Sequence, residues 1–154
     1  MKVHLILAAL VLSVLAFSSC VTINTGPGST TEPATTAPSI PFEDRTWVLE
    51  KIGPKNAPLT AFAGKEVSAR FDTASGKVSG YAGCNTYGAT YQKNSDKLTV
   101  STYISTKMLC SPNEAMQQEM QYASALQGAQ SYRAESNSLT IFSSEDRILV
   151  FRAK

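Results

Sequence analysis

The sequence predicts an α+β fold that is mostly β, an antiparallel, barrel-like sheet of about eight short strands packed on one helix. Segments of strand length, separated by turn residues, recur from residue 47 to residue 152, which is typical of an antiparallel sheet that curls into a barrel or half-barrel. One segment, residues 111–127, has helical spacing instead. The stretch GYAGCNTYGATY at residues 80–91 is rich in glycine, which indicates a sheet that bends or lets another backbone approach closely.

Residues 1–20 have the three parts of a secretory signal peptide. Lys2 supplies a positive start, an apolar run follows over residues 5–17, and two serines precede Cys20. The apolar run is short for a membrane-spanning helix. A cysteine at this point resembles a bacterial lipobox, which implies cleavage before Cys20 and a lipid on its sulfur. An ordinary cleaved signal with a chance cysteine, or an uncleaved anchor, are the alternatives.

Residues 21–42 are dominated by Thr, Ser, Gly and Pro, and they carry four of the chain's seven prolines. Too few large apolar side chains are present to offset the entropy of ordering the segment. We therefore expect a disordered tether between lipid and domain. It is either a passive spacer or one whose Thr and Ser side chains carry sugars.

Residues 43–154 are expected to form one domain, because this length suits one core rather than two. Of the chain's 14 basic and 12 acidic residues, all but Lys2 and Glu32 fall in this domain, so its net charge is near +2. The charges are evenly spread and give no basic stripe for nucleic acid. His4 is the only histidine and lies in the predicted signal peptide, which argues against histidine-based triads and histidine metal ligands.

The strands follow from alternation and turn residues. In residues 66–72, Val67, Ala69 and Phe71 alternate with polar side chains and are expected to point inward. Turns are expected at residues 73–76, 94–96, 136–137 and 143–146. The predicted strands are residues 47–52, 66–72, 77–82, 89–92, 97–99, 102–105, 131–134, 138–142 and 147–152.

The helix is predicted from its start signal and its spacing. Ser111 is expected to cap it, Pro112 to take the first helical position and Glu114 to complete a capping box. Gly128 is expected to end it. The residues predicted to form its apolar face are Met116, Met120, Ala123, Leu126 and Gln127. We interpret the methionines as core filler against the sheet rather than as a soft binding stripe.

Cys84 and Cys110 are the only cysteines beyond Cys20, and an isolated pair in an exported chain indicates a disulfide. Closing a loop of about 26 residues would restrict the unfolded chain by about 3–4 kcal/mol. A redox-active thiol or a metal-binding pair are the alternatives. A CxxC motif is absent from the sequence, and so is a second histidine that could activate a thiol, so we favour the structural disulfide.

Four tyrosines lie in or beside the glycine-rich stretch, namely Tyr81, Tyr87, Tyr91 and Tyr103. Clustered tyrosines can form an exposed recognition patch, since a rigid amphipathic ring suits binding. They can also form the rim of a core, with the ring buried and the hydroxyl wet. We favour the core interpretation, because the neighbouring glycines leave space that large rings would fill.

These residues resemble a known family. Gly80-x-x-Gly83-Cys84-Asn85-x-Tyr87-x-x-x-Tyr91, followed by TKMLC at residues 106–110, is similar to the META domain, the HslJ-like family of envelope lipoproteins. The resemblance extends over residues 45–152. It implies a compact antiparallel β-barrel-like sheet on one helix. It implies no enzyme, since members are associated with heat shock, drug tolerance, motility or secretion without an established reaction or ligand.

Together these observations predict a lipid-anchored, non-catalytic envelope domain facing outside the cytoplasm, on the periplasmic or extracellular side. We expect no catalytic residue, cofactor or metal, no nucleic-acid partner, a membrane contact through the lipid, an envelope protein as partner, and a monomer. Two alternatives remain. One is a pilot-like assembly factor. The other is a hydrolase that uses two carboxylates, with candidates Asp72, Asp96, Glu135 and Asp146.

The lipid prediction is tested by Cys20→Ser. The variant should leave the precursor unprocessed or misprocessed and weaken membrane retention, because stable anchoring takes two or more acyl chains at about 0.8 kcal/mol per buried CH₂. Mass spectrometry of the N-terminus in the native host checks this, and an unmodified N-terminus elsewhere than Cys20 would contradict it.

Overall fold

A computed structural model describes residues 40–154, which form one sheet and one helix. In chain order the elements are β1 (Thr46–Pro54), β2 (Leu59–Thr60), β3 (Ser68–Asp72), β4 (Lys77–Tyr81), β5 (Thr86–Asn94), β6 (Lys97–Ser105), α1 (Asn113–Gln127), β7 (Ala129–Ala134), β8 (Ser138–Ser143) and β9 (Arg147–Ala153). The predicted signal peptide, Cys20 and nearly all of the predicted tether lie outside the described residues.

The strands form a closed antiparallel barrel. The order is β1-β3-β4-β5-β6-β7-β8-β9, and β1 pairs again with β9, from Trp47 opposite Ala153 to Pro54 opposite Arg147. The two-residue strand β2, which the sequence did not predict, pairs only with β1. Helix α1 connects β6 to β7 and packs against β6, β8, β9 and β1. The predicted fold class is confirmed.

The core fills the barrel with the inward-facing members of each strand. Val67, Ala69 and Phe71 are all buried, which confirms the predicted alternation in this segment. The largest fully buried side chains are Trp47, Tyr122, Phe42, Phe71, Phe151, Leu98, Leu126, Leu139, Ile141, Leu149, Val67 and Val78. One contiguous cluster therefore serves the whole barrel, as expected for a domain of this size.

Phe42 belongs to this core, although the predicted tether ended at residue 42. Its ring is fully buried and meets Phe71 edge to face, with 4.9 Å between the ring centroids. The indole N–H of Trp47 donates to the Phe42 carbonyl oxygen at 2.7 Å. The folded domain thus includes Phe42. Burial of its aromatic ring contributes more free energy of folding than burial of the polar residues before it would.

Two predicted strands, residues 97–99 and 102–105, are one strand, β6. Thr102 has φ 55, and the β5–β6 register shifts between Gly88 and Thr90, so β6 carries a bulge. A bulge interrupts the apolar alternation without ending the strand, which explains the predicted break. The partner strand β5 also starts earlier than predicted, at Thr86 instead of residue 89.

The predicted capping box at the start of α1 is wrong. The helix begins at Asn113, and Pro112 takes the N-cap position with φ −77 and ψ 166 and no side-chain cap. Ser111 therefore lies one residue outside the cap position, so its hydroxyl is not placed to bond the first helical turn. The predicted end is confirmed, since α1 stops at Gln127 and Gly128 follows as the C-cap.

The predicted apolar face of α1 is also wrong in part. Met120 is 65% exposed, and the buried residues of the helix are Ala115, Gln118, Tyr122, Ala125 and Leu126. The side-chain oxygen of Gln118 accepts a hydrogen bond from the Phe62 backbone N–H. Because Gln118 stands on the inner face and Met120 on the outer one, apolar periodicity places the buried face of this helix only in part.

Two glycines of the glycine-rich stretch at residues 80–91 have opposite surroundings. A Cβ atom at Gly80 would lie 2.0 Å from the carbonyl oxygen of Ser68, whereas one at Gly88 would meet nothing within 4 Å. Gly80 therefore permits the close approach of backbones that the glycine content predicted, while Gly88 opens onto empty space.

This contrast predicts the outcome of a matched pair of substitutions. Gly80→Ala should destabilise the fold by about 3 kcal/mol or more, since the added methyl group overlaps backbone that cannot move away cheaply. Gly88→Ala should leave stability unchanged or raise it slightly. Thermal unfolding measures both; we expect the first melting temperature to fall by about 10 °C or more. Equal melting temperatures for the two variants would contradict the described packing.

Candidate functional site

Asn85 holds the segment that follows β6. Its side chain is buried, and its Oδ1 accepts hydrogen bonds from the Met108 backbone N–H and the Thr106 hydroxyl, each at 2.8 Å. Its Nδ2 donates to the Met108 carbonyl oxygen at 3.2 Å. One amide side chain thus pairs with both backbone groups of Met108, as the backbone of a neighbouring strand would.

Glu119 on α1 holds Asn85 in place through its carboxylate. Its carboxylate accepts from the Asn85 backbone N–H at 2.8 Å and from Nδ2 at 2.9 Å. Hydrogen bonds to a charged acceptor are stronger than neutral ones. Glu119 therefore ties the helix and Asn85 together and orients the Asn85 amide for Met108.

A disulfide joins Cys84 and Cys110 beside these bonds, with 5.8 Å between the Cα atoms. Residues 106–110 are therefore attached through Asn85 near one end and through Cys84 at the other, and we call them the pinned loop. The predicted disulfide is present in the structure. Met108 is 58% exposed and Leu109 is 89% exposed, so a doubly anchored loop presents two large apolar side chains to solvent.

Beside the pinned loop, the outer face of β3–β6 carries an open groove of about 800 Å³. The groove is lined by Arg70, Asp72, Ser75, Lys77, Val78, Ser79, Thr86, Tyr87, Gly88, Ala89, Thr90, Thr102, Ile104, Ser105 and Thr106. Four of these residues stand opposite one another on successive strands: Arg70, Ser79, Gly88 and Ile104. We call this set the cross-strand row.

Two local features account for the groove. Gly88 has no side chain, which leaves the middle of the cross-strand row open. The bulge at Thr102 bends β6, as bulges do, and Ile104 follows it with 69% of its surface exposed. Ser105 and Thr106 line the groove and lead directly into the pinned loop. The groove and the pinned loop therefore form one surface.

The end of the groove at β3 and β4 carries charges of both signs. Arg70 and Lys77 are exposed there, and neither forms a salt bridge among the described residues. Arg70 donates to the Asp44 carbonyl oxygen at 2.8 Å. Asp72 lines the same end and stands opposite Lys77. The pKa of its carboxyl is lowered because the Ser75 hydroxyl and backbone N–H donate to it, and because Arg70 is near.

Two of the four candidate tyrosines are core residues. Tyr87 and Tyr91 are buried. The Tyr87 hydroxyl lies 2.6 Å from the Tyr122 hydroxyl and donates to the Ser68 carbonyl oxygen at 3.1 Å. The Tyr91 hydroxyl donates to Glu43 at 2.9 Å. These two rings fill the barrel and do not present a face to a partner.

The other two tyrosines, Tyr81 and Tyr103, are half-buried. Tyr103 stacks on Tyr87 with 5.2 Å between the ring centroids. Burial, followed by the nearby charge of Glu119, raises the pKa of Tyr103 to about 12. Its ring lies at the rim of the core, but its hydroxyl is buried without a hydrogen-bond partner among the described residues, whereas a hydroxyl in contact with water was predicted.

The four carboxylates of the hydrolase alternative lie in different hairpins. Asp72 ends β3, Asp96 lies between β5 and β6, Glu135 between β7 and β8, and Asp146 between β8 and β9. Within residues 40–154 there is no group of three or more His, Cys, Asp or Glu side chains suited to hold a metal ion. In the same residues, no helix has the length and apolarity to cross a membrane.

The sequence profile of the META domain matches residues 40–154. A Burkholderia xenovorans protein solved by NMR is similar in fold, with 23% identity, a TM-score of 0.65, and 86% of this chain and 99% of that chain covered. The crystal structure of a DUF4847 family protein from Bacteroides vulgatus has 16% identity, a TM-score of 0.53, and coverage of 72% and 93%. At these identities the likeness is one of fold alone. No curated protein matches the chain in sequence.

Asn85→Ala tests whether this one side chain holds the pinned loop. The change leaves the Met108 N–H without its acceptor and removes the side-chain donor to Glu119, which keeps the bond from the backbone N–H of residue 85. It should cost about 2–4 kcal/mol. Hydrogen exchange at residues 106–110 should accelerate more than exchange in β8 and β9. Asn94→Ala, at an exposed position, is the matched control. Unchanged protection of the Met108 amide in the Asn85 variant would contradict the assignment.

Proposed function

This chain belongs to the META domain family, and on that premise we propose that it is a lipid-anchored, exported, non-catalytic domain that binds or supports another component of the cell envelope. The sequence of residues 1–42 supports anchoring and export. The surface made by the pinned loop and the groove supports binding. We assign the partner contact to this surface.

The observation that carries the proposal is the exposure of Met108 and Leu109 on an anchored loop. A soluble domain gains nothing for its own fold from such side chains in water, and contiguous exposed apolar groups commonly mark interaction sites. Burying a side chain of this size at an interface contributes about 1.5–3 kcal/mol. Since the disulfide and Asn85 already hold the loop, less entropy is lost on binding than for a free loop.

The groove supplies the concave part of the same surface. Its floor at Gly88 is open, and Ile104 forms one wall. A partner segment that enters the groove would reach Ile104 and then the pinned loop without leaving the surface. Shape of this kind, a depression beside a raised apolar tip, favours recognition of a macromolecule over enclosure of a small molecule.

The hydrolase alternative needs two carboxyl groups that face one another across a substrate. Its four candidate acids lie in or beside four different hairpins. Asp72, which lines the groove, accepts hydrogen bonds from Ser75. The pilot-like alternative uses the same surface as the binding proposal and differs only in the identity and fate of the partner.

Gly88→Val tests the proposal without disturbing the core. A Cβ atom at this position meets nothing within 4 Å, so the variant should fold with an unchanged or slightly raised melting temperature while its side chain fills the groove. In the native host, crosslinking of the full chain to its envelope partner should fall about tenfold or more, as for loss of a central contact.

Thr99→Val is the matched control, because Thr99 is exposed on β6 and does not line the groove. It should leave crosslinking unchanged. Equal crosslinking of the Gly88 variant and the control would overturn the assigned surface. Turnover of an envelope substrate by the purified chain, abolished by one carboxylate-to-amide change, would overturn the non-catalytic proposal.

A further inference from the structure

We infer that Met108 is a site of reversible oxidation to methionine sulfoxide, and that oxidation at this position releases the partner. The inference deepens the proposed function and rests on it, because Met108 belongs to the surface to which the partner contact is assigned. Three observations carry it: the Met108 side chain is exposed, the cysteines of the described domain are already oxidised, and Asn85 holds the Met108 backbone in place.

The three methionines of the described domain all lie outside its core. Met108 is 58% exposed and Met120 is 65% exposed, whereas Met116 is half-buried. None of them belongs to the cluster that fills the barrel. A methionine side chain often fills irregular gaps in a core. Here two of the three thioethers are presented to solvent, where a dissolved oxidant reaches the sulfur.

The other sulfur atoms of the described domain do not compete for the oxidant. A thiolate is the form of cysteine that oxidants attack, but Cys84 and Cys110, the two cysteines in residues 40–154, are joined in the disulfide. The single tryptophan, Trp47, is fully buried. Met108 and Met120 are therefore the side chains of the described domain that a dissolved oxidant should modify first.

The oxidant is an oxygen-atom donor of the peroxide or hypochlorous acid class. The Met108 sulfur loses two electrons and gains one oxygen atom, while hydrogen peroxide leaves as water, or hypochlorous acid leaves as chloride and a proton. Methionine sulfoxide reductases reverse the change. In that step a dithiol supplies two electrons and becomes a disulfide, and the oxygen atom leaves as water.

Oxidation of Met108 changes the surface and leaves the fold in place. Asn85 bonds the backbone N–H and the carbonyl oxygen of Met108, and the sulfur lies beyond these bonds in the side chain. The sulfoxide oxygen accepts hydrogen bonds from water, so its burial against an apolar partner becomes unfavourable. The pinned loop would therefore keep its position while it loses the apolar contact at its tip.

Met120 supplies a matched internal control. It is at least as exposed as Met108, but it stands on α1, outside the pinned loop and the residues that line the groove. The same oxidant should convert both side chains. The effect on the partner should follow the sulfur of Met108 alone.

The first part of the test treats the full chain in detergent with hydrogen peroxide and follows each methionine by mass spectrometry of its peptides. We expect Met108 and Met120 to be oxidised about threefold or more faster than Met116, since accessibility sets the rate. The melting temperature of the oxidised chain should stay within about 2 °C of the untreated value. A methionine sulfoxide reductase supplied with dithiothreitol should return Met108 to the thioether.

The second part measures crosslinking of the full chain to its envelope partner in the native host, before and after peroxide. Crosslinking of the unaltered chain should fall about fivefold or more on oxidation, as for loss of a central contact. Met108→Leu is compared only with itself, and its crosslinking should not change with peroxide, because leucine has no sulfur. Met120→Leu should lose crosslinking on oxidation as the unaltered chain does.

Three results would each overturn the inference: oxidation of Met116 before Met108, an equal loss of crosslinking on oxidation in Met108→Leu, or full crosslinking by chain that is oxidised at Met108. The Gly88→Val result separates the two levels. If crosslinking is lost in that variant but survives oxidation of Met108, the assigned surface stands and the oxidation site is wrong. If crosslinking persists in Gly88→Val, the proposed function fails with it.

Discussion

The pairing of the Asn85 side chain with the backbone of Met108 is the contact on which the candidate surface depends. It joins three parts of the chain that are far apart in sequence: the end of the β4–β5 connection, the segment after β6, and α1 through Glu119. A buried polar network of this kind stabilises one geometry only when all its members are bonded. Here Asn85 has a partner for each of its side-chain polar atoms, so the loop it holds has a defined position.

Much of the fold could be predicted from the sequence, because the signals were local. Alternation in residues 66–72 and the turns between β3 and β4 or β8 and β9 depend on near neighbours. The inner face of α1 could not be found in this way. Gln118 and Tyr122 are buried through bonds to Phe62 and Tyr87, residues that no local pattern connects to the helix. Burial by a specific polar partner overrides apolar periodicity.

Part of the candidate site could likewise be predicted from local signals, and part could not. The Cys84–Cys110 pair was predicted, because a count of cysteines suffices for it. The roles of Asn85 and Glu119 were missed, although both residues stand in the segments by which the chain resembles its family; their function becomes visible only when the helix is docked. The groove was missed for another reason. It is produced by an absent side chain at Gly88 and a bulge at Thr102, and neither leaves a distinct pattern in the sequence.

The pairing of β1 with β9 has a consequence for how the domain folds. Trp47 and Ala153 are paired although about 100 residues separate them, and β9 is the last strand of the chain. Long-range pairing of this kind slows folding, since a large loop must close before the contact forms. The barrel therefore stays open, with an unpaired edge on β1, until β9 is available to complete the ladder.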